Sequence, residues 1–225
     1  DDIDDDGDGY TENEGDCDDA ATTVNPTSIE GETADGRDND CNGIVDDMLS
    51  CPASDPDIQT LQEAIDRAPE GMTLVVCPGT YAEMLTIQDR SVGIWAEDGP
   101  SVTLIQGDQS GAVITVSNSD GVLISGFTIQ GGRSLSNGGA IQATDSAVDF
   151  RDNILPDNEA VLWGGGIYCE SCTGRIDGNT ISGSRAAHGG GMAINYGQLE
   201  ITGNSILSNT AYSTDGNIFG SNYGG

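Results

Sequence analysis

Two short loops near the start of the chain carry an acidic or amide side chain at every second position, followed by a glycine. Residues 4–9 read DDDGDG, and residues 38–43 read DNDCNG. Alternating carboxylates wrap a hard cation with oxygen ligands, the glycine permits the sharp turn, and the next residue adds its backbone carbonyl. Neither loop has a Glu at its twelfth position or flanking helical patterns, so neither is an EF-hand. The pair of loops predicts calcium binding rather than a solvated acidic tail.

A third acidic run, residues 15–19, lies between the two loops and can close the first cage or help the second. The predicted ligands are carboxylates, one amide and the residues that follow the loop glycines, and together they would hold two or more Ca²⁺ ions. They are Asp2, Asp4, Asp6, Asp8, Tyr10, Asp16, Asp18, Asp19, Asp38, Asp40, Asn42, Ile44, Asp46 and Asp47.

The charge of the chain excludes several classes of partner. Its 225 residues include 38 Asp plus Glu and 7 basic residues, for a formal net charge of -31. Such a charge repels nucleic acid and anionic lipid. All 7 basic residues are Arg, which excludes Schiff-base and P-loop lysine chemistry. The first 50 residues hold 18 of the acids and little apolar periodicity, so this segment either is disordered or folds around metal ions.

The six cysteines, an even number, favour an oxidising, extracellular compartment. Cys51 and Cys77 are expected to form a disulfide that pins a capping helix to the first strand. Cys169 and Cys172 are expected to form a local disulfide at a coil corner, because no βαβ pattern surrounds them to support a redox role. A thiolate metal site would need tighter clustering with histidine, and the chain has 1 His.

No run of residues is long and apolar enough to span a membrane. The chain opens on acidic residues rather than on a basic and apolar signal peptide, so any export signal has been removed or lies outside this chain.

From Ser50 onward, short apolar strands alternate with Gly-rich and Asn-rich turns. Segments 138–153, 165–179 and 190–204 superpose, with final asparagines 26 and 25 residues apart, which indicates a parallel β-solenoid of about seven coils. One amphipathic helix is predicted near residues 55–68, beginning at Asp55 and Pro56. A ladder of stacked amides is predicted inside the solenoid, formed by Asn153, Asn179 and Asn204.

The acidic segment resembles a known family. Residues 2–47, with the runs DIDDDGDGY, GDCDDAATTVNP and DGRDNDCNGIVDD, resemble the Asp-rich metal-binding repeat of bacterial surface proteins. The resemblance implies calcium and an extracellular site. Members usually have a cysteine before the DG pair, where this chain has Ala34. That difference leaves Cys17 and Cys41 as the pair that staples the two loops together.

The remainder resembles a second group of proteins. Residues 59–81 are similar to the entry coil of right-handed β-helices of the pectate-lyase type, and the GGAI and FRDN tetrapeptides are similar to the repeats of polymorphic outer-membrane adhesins. The resemblance implies an all-β fold. Residues 51–225 would form a right-handed parallel β-helix with one N-terminal capping helix, and residues 1–50 a small calcium-stabilised module.

These features predict a secreted or cell-surface calcium-binding protein with a structural or adhesive role and no enzymatic activity. The sequence stops part-way into a coil, and an uncapped solenoid end exposes strand edges. We therefore expect another copy or its metal-binding module to cover this end, giving self-association by head-to-tail stacking into fibres. A C-terminal region beyond this sequence would explain the same ending, and surface glycans are the other candidate partner.

Two further functions remain open at this stage. One is a polysaccharide lyase or hydrolase, whose site would lie in the mixed-sign columns formed by residues 149, 175 and 200 and by residues 151, 177 and 202. The other is a calcium-dependent carbohydrate-binding protein. Trp95, Trp163 and the tyrosines do not line up at the repeat offset, which argues against a sugar-stacking ladder.

Overall fold

The fold is a parallel β-solenoid, as the repeat offset predicts. The computed structural model describes residues 3–28, 36–39, 41, 47–50 and 60–212, with the backbone alone at residues 47–50. The predicted ligands Asp2, Asp40, Asn42, Ile44 and Asp46 and the predicted disulfide residue Cys51 lie outside the described residues. No helix of the described part is long and apolar enough to cross a membrane.

The elements are short, as expected for a coil of 25 or 26 residues. A 3₁₀ turn (Glu12–Glu14) precedes the strands, and one helix, α1 (Leu61–Arg67), lies between the first two. In chain order the strands are β1 (Asp47–Ser50), β2 (Thr73–Val76), β3 (Gly79–Tyr81), β4 (Leu85–Gln88), β5 (Gly93–Trp95), β6 (Thr103–Gln106), β7 (Ile114–Ser117), β8 (Val122–Ser125), β9 (Thr128–Gln130), β10 (Arg133–Ser134), β11 (Ile141–Thr144), β12 (Ala147–Arg151), β13 (Ile154–Pro156), β14 (Glu159–Ala160), β15 (Ile167–Glu170), β16 (Thr173–Asp177), β17 (Thr180–Ser182), β18 (Arg185–Ala186), β19 (Met192–Asn195), β20 (Gln198–Thr202), β21 (Ser205–Leu207) and β22 (Thr210–Ala211).

The strands stack into four parallel sheets. Sheet A has the order β1-β2-β5-β8-β12-β16-β20, sheet B the order β3-β6-β9-β13-β17-β21, sheet C the order β4-β7-β11-β15-β19, and sheet D the order β10-β14-β18-β22. The backbone of Asp47, a predicted ligand, lies in β1 and pairs with Thr73 of β2. Residues 47–50, which the sequence analysis placed in the acidic module, thus join sheet A.

The solenoid has about five turns rather than the predicted seven. Sheet C contributes one strand to each turn, and its first strand, β4, begins only at Leu85. The larger number came from assigning every residue after Ser50 to coils. Part of that length forms α1 and its connections, and residues 51–59 and 213–225 lie outside the described ranges.

In several strands every second residue is apolar and fills the interior. Strand β4 shows the pattern, with Leu85 and Ile87 buried and the residues between and after them exposed. The same alternation recurs in β7, where Ile114 and Val116 are buried. Because the register places these positions above one another from coil to coil, the buried side chains form one continuous apolar core.

Helix α1 begins at Leu61, not at the predicted Asp55. Its N-cap is Thr60, whose hydroxyl accepts a hydrogen bond from the Glu63 amide at 3.1 Å. Thr60 and Glu63 have the spacing of a capping box. The sequence analysis overlooked this signal because it took Asp55 and Pro56 as the start of the helix. The helix is buried along Leu61, Ala64 and Ile65, and it therefore covers apolar core beside β4.

Polar contacts hold α1 to the solenoid at both ends. The Glu83 carboxylate accepts hydrogen bonds from the first two helical amides, those of Leu61 at 2.9 Å and Gln62 at 3.0 Å. At the other end the Arg90 guanidinium donates to the carbonyls of Asp66 and Ala68. An acid at the amino end and a cation at the carboxyl end both complement the helix dipole.

Candidate metal centre

The first acidic loop is closed by its own carboxylates. Asp4 accepts hydrogen bonds from the backbone amides of Gly7 at 2.6 Å and Gly9 at 3.1 Å. Asp6 accepts one from the amide of Asp8 at 3.0 Å. Both glycines have positive φ values, +83° and +104°, which L side chains rarely adopt. The DxDxDG spacing therefore produces a tight turn whose carboxylates accept hydrogen bonds from its own backbone amides.

This turn brings five of the predicted ligands together. One carboxylate oxygen each from Asp4, Asp6 and Asp19 lie within 4.8 Å of one another, and so do those from Asp6, Asp8 and Asp16. Asp6 belongs to both groups. The run at residues 15–19 thus completes the first loop, which is one of the two roles that the sequence left open.

Three of these carboxylates have a buried oxygen with no hydrogen-bond partner within the described part of the chain: Oδ2 of Asp6, of Asp16 and of Asp19. Asp16 is 4% exposed and Asp19 is 8% exposed. Burial raises the pKa of Asp6, and the neighbouring charges of Asp8, Asp16 and Asp4 raise it further. Burial also raises the pKa of Asp19. The group therefore has buried negative charge that a cation would neutralise.

Asn25 supports this group, and sequence reasoning missed it. Its side-chain amide donates to Oδ2 of Asp8 at 2.8 Å, and its backbone amide donates to the carbonyl of Asn39 at 2.9 Å. Asn25 thereby links the first loop to the start of the second. The predicted Cys17–Cys41 disulfide is confirmed, with a Cα–Cα distance of 5.6 Å, and it joins the run at residues 15–19 to the second loop.

The other predicted ligands are placed differently. Asp18 and Asp38 line a shallow cleft beside the disulfide and lie outside both carboxylate groups. The backbone amide of Tyr10 donates to Oδ1 of Asp8 at 2.9 Å. Most of the second loop lies outside the described ranges, so its ligands remain predictions.

In the solenoid, the three asparagines stack from coil to coil. Oδ1 of Asn179 accepts from the backbone and side-chain amides of Asn153 at 3.1 and 3.0 Å. Oδ1 of Asn204 does the same for Asn179, at 2.9 Å in both cases. The ladder satisfies buried backbone groups at the turn between sheets A and B, which is a structural role.

A second ladder follows the strands of sheet B, and the sequence analysis missed it. Oδ1 of Asn158 accepts from the amide of Gly132 at 2.9 Å, and Oδ1 of Asn209 accepts from the amide of Ser184 at 2.8 Å. Between them, the Ser184 hydroxyl accepts from the amide of Asn158 at 3.4 Å. Comparing the repeats with one another did not reveal this column, because Ser184 occupies the position between the two asparagines.

The predicted Cys169–Cys172 disulfide is wrong: both residues are free, fully buried thiols. They fill two different interior columns of the solenoid. Cys169 lies between Ala143 and Ile194 in sheet C, and Cys172 follows the coil corner at the position that Ser146 has in the preceding coil. The Cys172 thiol donates to the carbonyl of Glu170 at 3.6 Å. Interaction with the Cys172 thiol, together with burial, raises the pKa of Cys169, and interaction with Cys169 lowers the pKa of Cys172. Cys77 is disulfide-bonded, as predicted.

The mixed-sign columns are in register as the sequence predicts. Asp149, Arg175 and Glu200 pair across β12, β16 and β20. The ion pairs themselves run along the strands, from Arg151 to Asp149 and from Arg175 to Asp177 at 3.0 Å. These half-exposed pairs contribute little to stability.

One aromatic contact, between Trp163 and His188, was not found in the sequence analysis, which compared the tryptophans and tyrosines with one another. The two residues pair across neighbouring coils, with ring centroids 4.3 Å apart and an interplanar angle of 28°. Self-comparison missed the pair because the two residue types differ.

An acidic loop module with buried, unpartnered carboxylate oxygens, followed by a parallel β-solenoid, defines the chain as a metal-binding solenoid protein. Residues 16–47 match a family profile described as "Putative metal-binding motif", of the Cu-binding MopE type. Residues 67–219, well over half of the chain, match the profile of the periplasmic copper-binding protein NosD. The chain belongs to the NosD family. No curated protein and no solved structure matches it significantly.

The family name raises the question of whether the residues present fit copper. The two carboxylate groups offer oxygen ligands only, whereas copper prefers imidazole nitrogen and, as Cu(I), thiolate or thioether sulfur. The described carboxylate groups therefore do not fit copper. Among the described residues, the free thiols are those of Cys169 and Cys172.

Proposed function

We propose that the acidic module binds Ca²⁺ and that the chain is a structural or adhesive protein of the cell envelope or the cell exterior. The observation that carries the calcium proposal is the set of buried Oδ2 atoms of Asp6, Asp16 and Asp19, which have no donor among the described residues. Ca²⁺ takes six to eight oxygen ligands in flexible geometry. Two carboxylate groups that share Asp6 suit one or two such ions.

The ligand chemistry favours calcium over other cations. Mg²⁺ demands near-ideal octahedral geometry and retains several waters, whereas these loops direct many carboxylates into one small volume. Copper and zinc sites draw on nitrogen or sulfur ligands, which neither carboxylate group contains.

The test is calorimetric titration of the full chain with Ca²⁺, Mg²⁺ and Cu²⁺ in separate arms. The substitution Asp6→Asn alters both carboxylate groups, and we expect it to weaken Ca²⁺ binding by more than about tenfold. The matched control is Asp145→Asn, the same charge change at an exposed solenoid corner where φ is 48°. Equal Ca²⁺ affinity for the two variants, or tighter binding of Cu²⁺ than of Ca²⁺ by the module, would contradict the proposal.

The proposed location rests on two observations. The Cys17–Cys41 disulfide suits an oxidising compartment outside the cytoplasm. The matched family is described as periplasmic, which agrees with an envelope location. Free-thiol labelling of the exported protein that found Cys17 and Cys41 reduced would argue against this assignment.

The solenoid is proposed to serve as a rigid body rather than as a catalyst. Its regularly spaced polar side chains are occupied in internal ladders or in ion pairs along the strands, which supports a structural role. The polysaccharide lyase is the competing function. Incubation with polyuronates tests it, since accumulation of unsaturated products, followed by ultraviolet absorbance, would overturn the structural proposal.

Self-association is the proposed mode of assembly. Parallel sheets can be extended by the strands of another copy, and we propose that two copies stack end to end in this way. Sedimentation in Ca²⁺ should show mass increasing with protein concentration, and monomers at every concentration would refute stacking.

A further inference from the structure

We propose that the outer surface of sheet D and of the loops that follow its strands binds a neutral oligosaccharide. This surface, here called the sheet D face, comprises residues 131–137, 157–163 and 185–188 together with Gln109. The proposal rests on the adhesive role proposed above and gives that role a partner. The face shares no residue with the acidic module, so the calcium proposal is tested independently of it.

A polar cleft lies where sheet D begins. The first strand of this sheet is β10, and the preceding coil crosses the same position as a loop around Gln109, which has φ of 68°. The cleft has a volume of about 170 Å³ and suits one sugar ring rather than a whole oligosaccharide. It is lined by planar polar side chains and by backbone, from Gln109, Gly131, Gly132, Arg133, Asp157 and Glu159.

The lining side chains have the hydrogen-bonding groups that sugar hydroxyls need. Neighbouring hydroxyls can donate to a carboxylate and accept from a guanidinium or an amide. The Arg133 and Glu159 side chains are 60% and 33% exposed, and Nε of Arg133 is 3.8 Å from Oε2 of Glu159. This distance is too long for a hydrogen bond, so both groups keep capacity for a ligand. Because Asn158 and Ala160 are buried, the intervening Glu159 side chain points outward.

The charge of the face favours neutral ligands. Arg133 lies in register with Glu159, and Glu159 with Arg185. Together with Asp157 these residues give two cations and two anions, so the face is close to neutral in a chain whose formal net charge is -31. The field of the whole chain therefore repels acidic saccharides, and the balanced face has no excess of cations to hold them.

An exposed apolar border follows the cleft. Leu135, Leu162 and Trp163 are 82%, 41% and 37% exposed, and they lie directly after β10 and β14. Trp163 follows Glu159 by four residues, a distance of at most about 13 Å along the chain. A short oligosaccharide can therefore contact both side chains. The C–H groups of sugar rings pack on aromatic and apolar surfaces, while their hydroxyls use the polar groups nearby.

The Trp163 ring is held in place before any ligand binds. It stacks on His188 of the next coil, with ring centroids 4.3 Å apart. Asn137, Trp163 and His188 each precede a glycine with positive φ, of +62°, +63° and +57°, so they occupy equivalent corners of successive coils. A ring that is already fixed loses little conformational entropy on binding. One such position suffices for this site, which does not need the aligned aromatics of a sugar-stacking ladder.

The experiment measures binding of three defined trisaccharides to the full chain by calorimetry. Tri-N-acetylchitotriose and cellotriose are neutral, and trigalacturonate is the acidic comparison. The variants are Trp163→Asn, which introduces the residue type that the preceding coil has at this corner, and Glu159→Gln, which keeps the shape of the side chain. The matched control is Tyr196→Asn, which removes a 90% exposed aromatic residue outside the face. Unchanged circular dichroism verifies that the variants fold.

We expect at least one neutral trisaccharide to bind and trigalacturonate not to bind. Trp163→Asn and Glu159→Gln should each weaken binding by about tenfold or more, while Tyr196→Asn should leave it unchanged. Binding should persist in a calcium chelator. Ca²⁺ titration of Trp163→Asn should match that of the wild type, so a failure of the glycan proposal leaves the calcium proposal standing.

Four results would overturn the proposal. They are the absence of binding for both neutral trisaccharides, equal weakening by Tyr196→Asn, preference for trigalacturonate, and loss of binding on chelation. Sedimentation of the same variants examines a protein as the alternative occupant. Self-association that Trp163→Asn abolishes would assign the sheet D face to a second copy of the chain and would also refute the glycan site.

Discussion

Replacing Asn179 by alanine should destabilise the solenoid more than any other single change in its ladder. The side chain is fully buried and makes five hydrogen bonds. It accepts from the backbone and side-chain amides of Asn153 and donates to the carbonyls of Phe150 and Asp177 and to the side chain of Asn204. Alanine has no group that can replace any of them.

The magnitude follows from the groups left behind. The Asn153 amide and the Phe150 carbonyl are buried backbone groups that lose these bonds, and each buried unsatisfied group costs about 1–3 kcal/mol. The free energy of unfolding should therefore fall by about 2–6 kcal/mol. Asn204→Ala is the matched control. Its hydrogen bonds to Asn179, Ile176 and Thr202 are only partly buried or are exposed, so water can replace them at a cost of about 1 kcal/mol.

The assay is denaturant unfolding followed by far-ultraviolet circular dichroism, with hydrogen exchange to locate the effect within the coils. Because the two asparagines share a hydrogen bond, the double variant should lose less than the sum of the single losses. If Asn179→Ala were no more destabilising than Asn204→Ala, the argument that internal amides sustain the stack would be refuted.

Three further changes test other parts of the fold. In Glu83→Gln, the carboxylate that accepts hydrogen bonds from the first two amides of α1 becomes a neutral amide. The free energy of local opening should fall by about 1 kcal/mol, so these two amides should exchange faster with solvent. Unchanged exchange would show that the Glu83 charge does not hold this end of the helix in place. Gly165→Ala places Cβ 2.4 Å from the carbonyl oxygen of Gly190 and should lower the melting temperature, whereas Gly111→Ala, whose nearest contact is 3.6 Å away, should not. Burial raises the pKa of Tyr81 above 10.0, so its contribution to stability is complete below pH 10 and declines as the pH rises through the raised value; Tyr81→Phe should remove this alkaline loss, and an identical alkaline profile for the two proteins would contradict it.

The parts of the fold that the sequence predicts are those in which residue type repeats at the coil offset. Asn153 and Asn179 are identical residues 26 positions apart, and the structure pairs their amides. The column of Asp149 and Arg175 was predictable for the same reason, because the flanking tetrapeptides fix the register.

The parts that escaped prediction are those in which different residue types occupy equivalent positions. Trp163 and His188 share a column, but because they are different residue types the sequence does not show that they are equivalent. Ser184 interrupts the second ladder for the same reason. The partners of the acidic loop, above all Asn25, could not be found by spacing because loop closure brings them together across 17 residues.

Within each of the four sheets, every strand pairs with the strands of the coils directly before and after it. Duplicating or deleting one whole repeat would restore every backbone pairing, while a change of any other length would shift the apolar positions out of the core. The body can thus lengthen or shorten during evolution in steps of one coil. The length of the solenoid can therefore change by duplication or loss of whole repeats, without redesign of its interior.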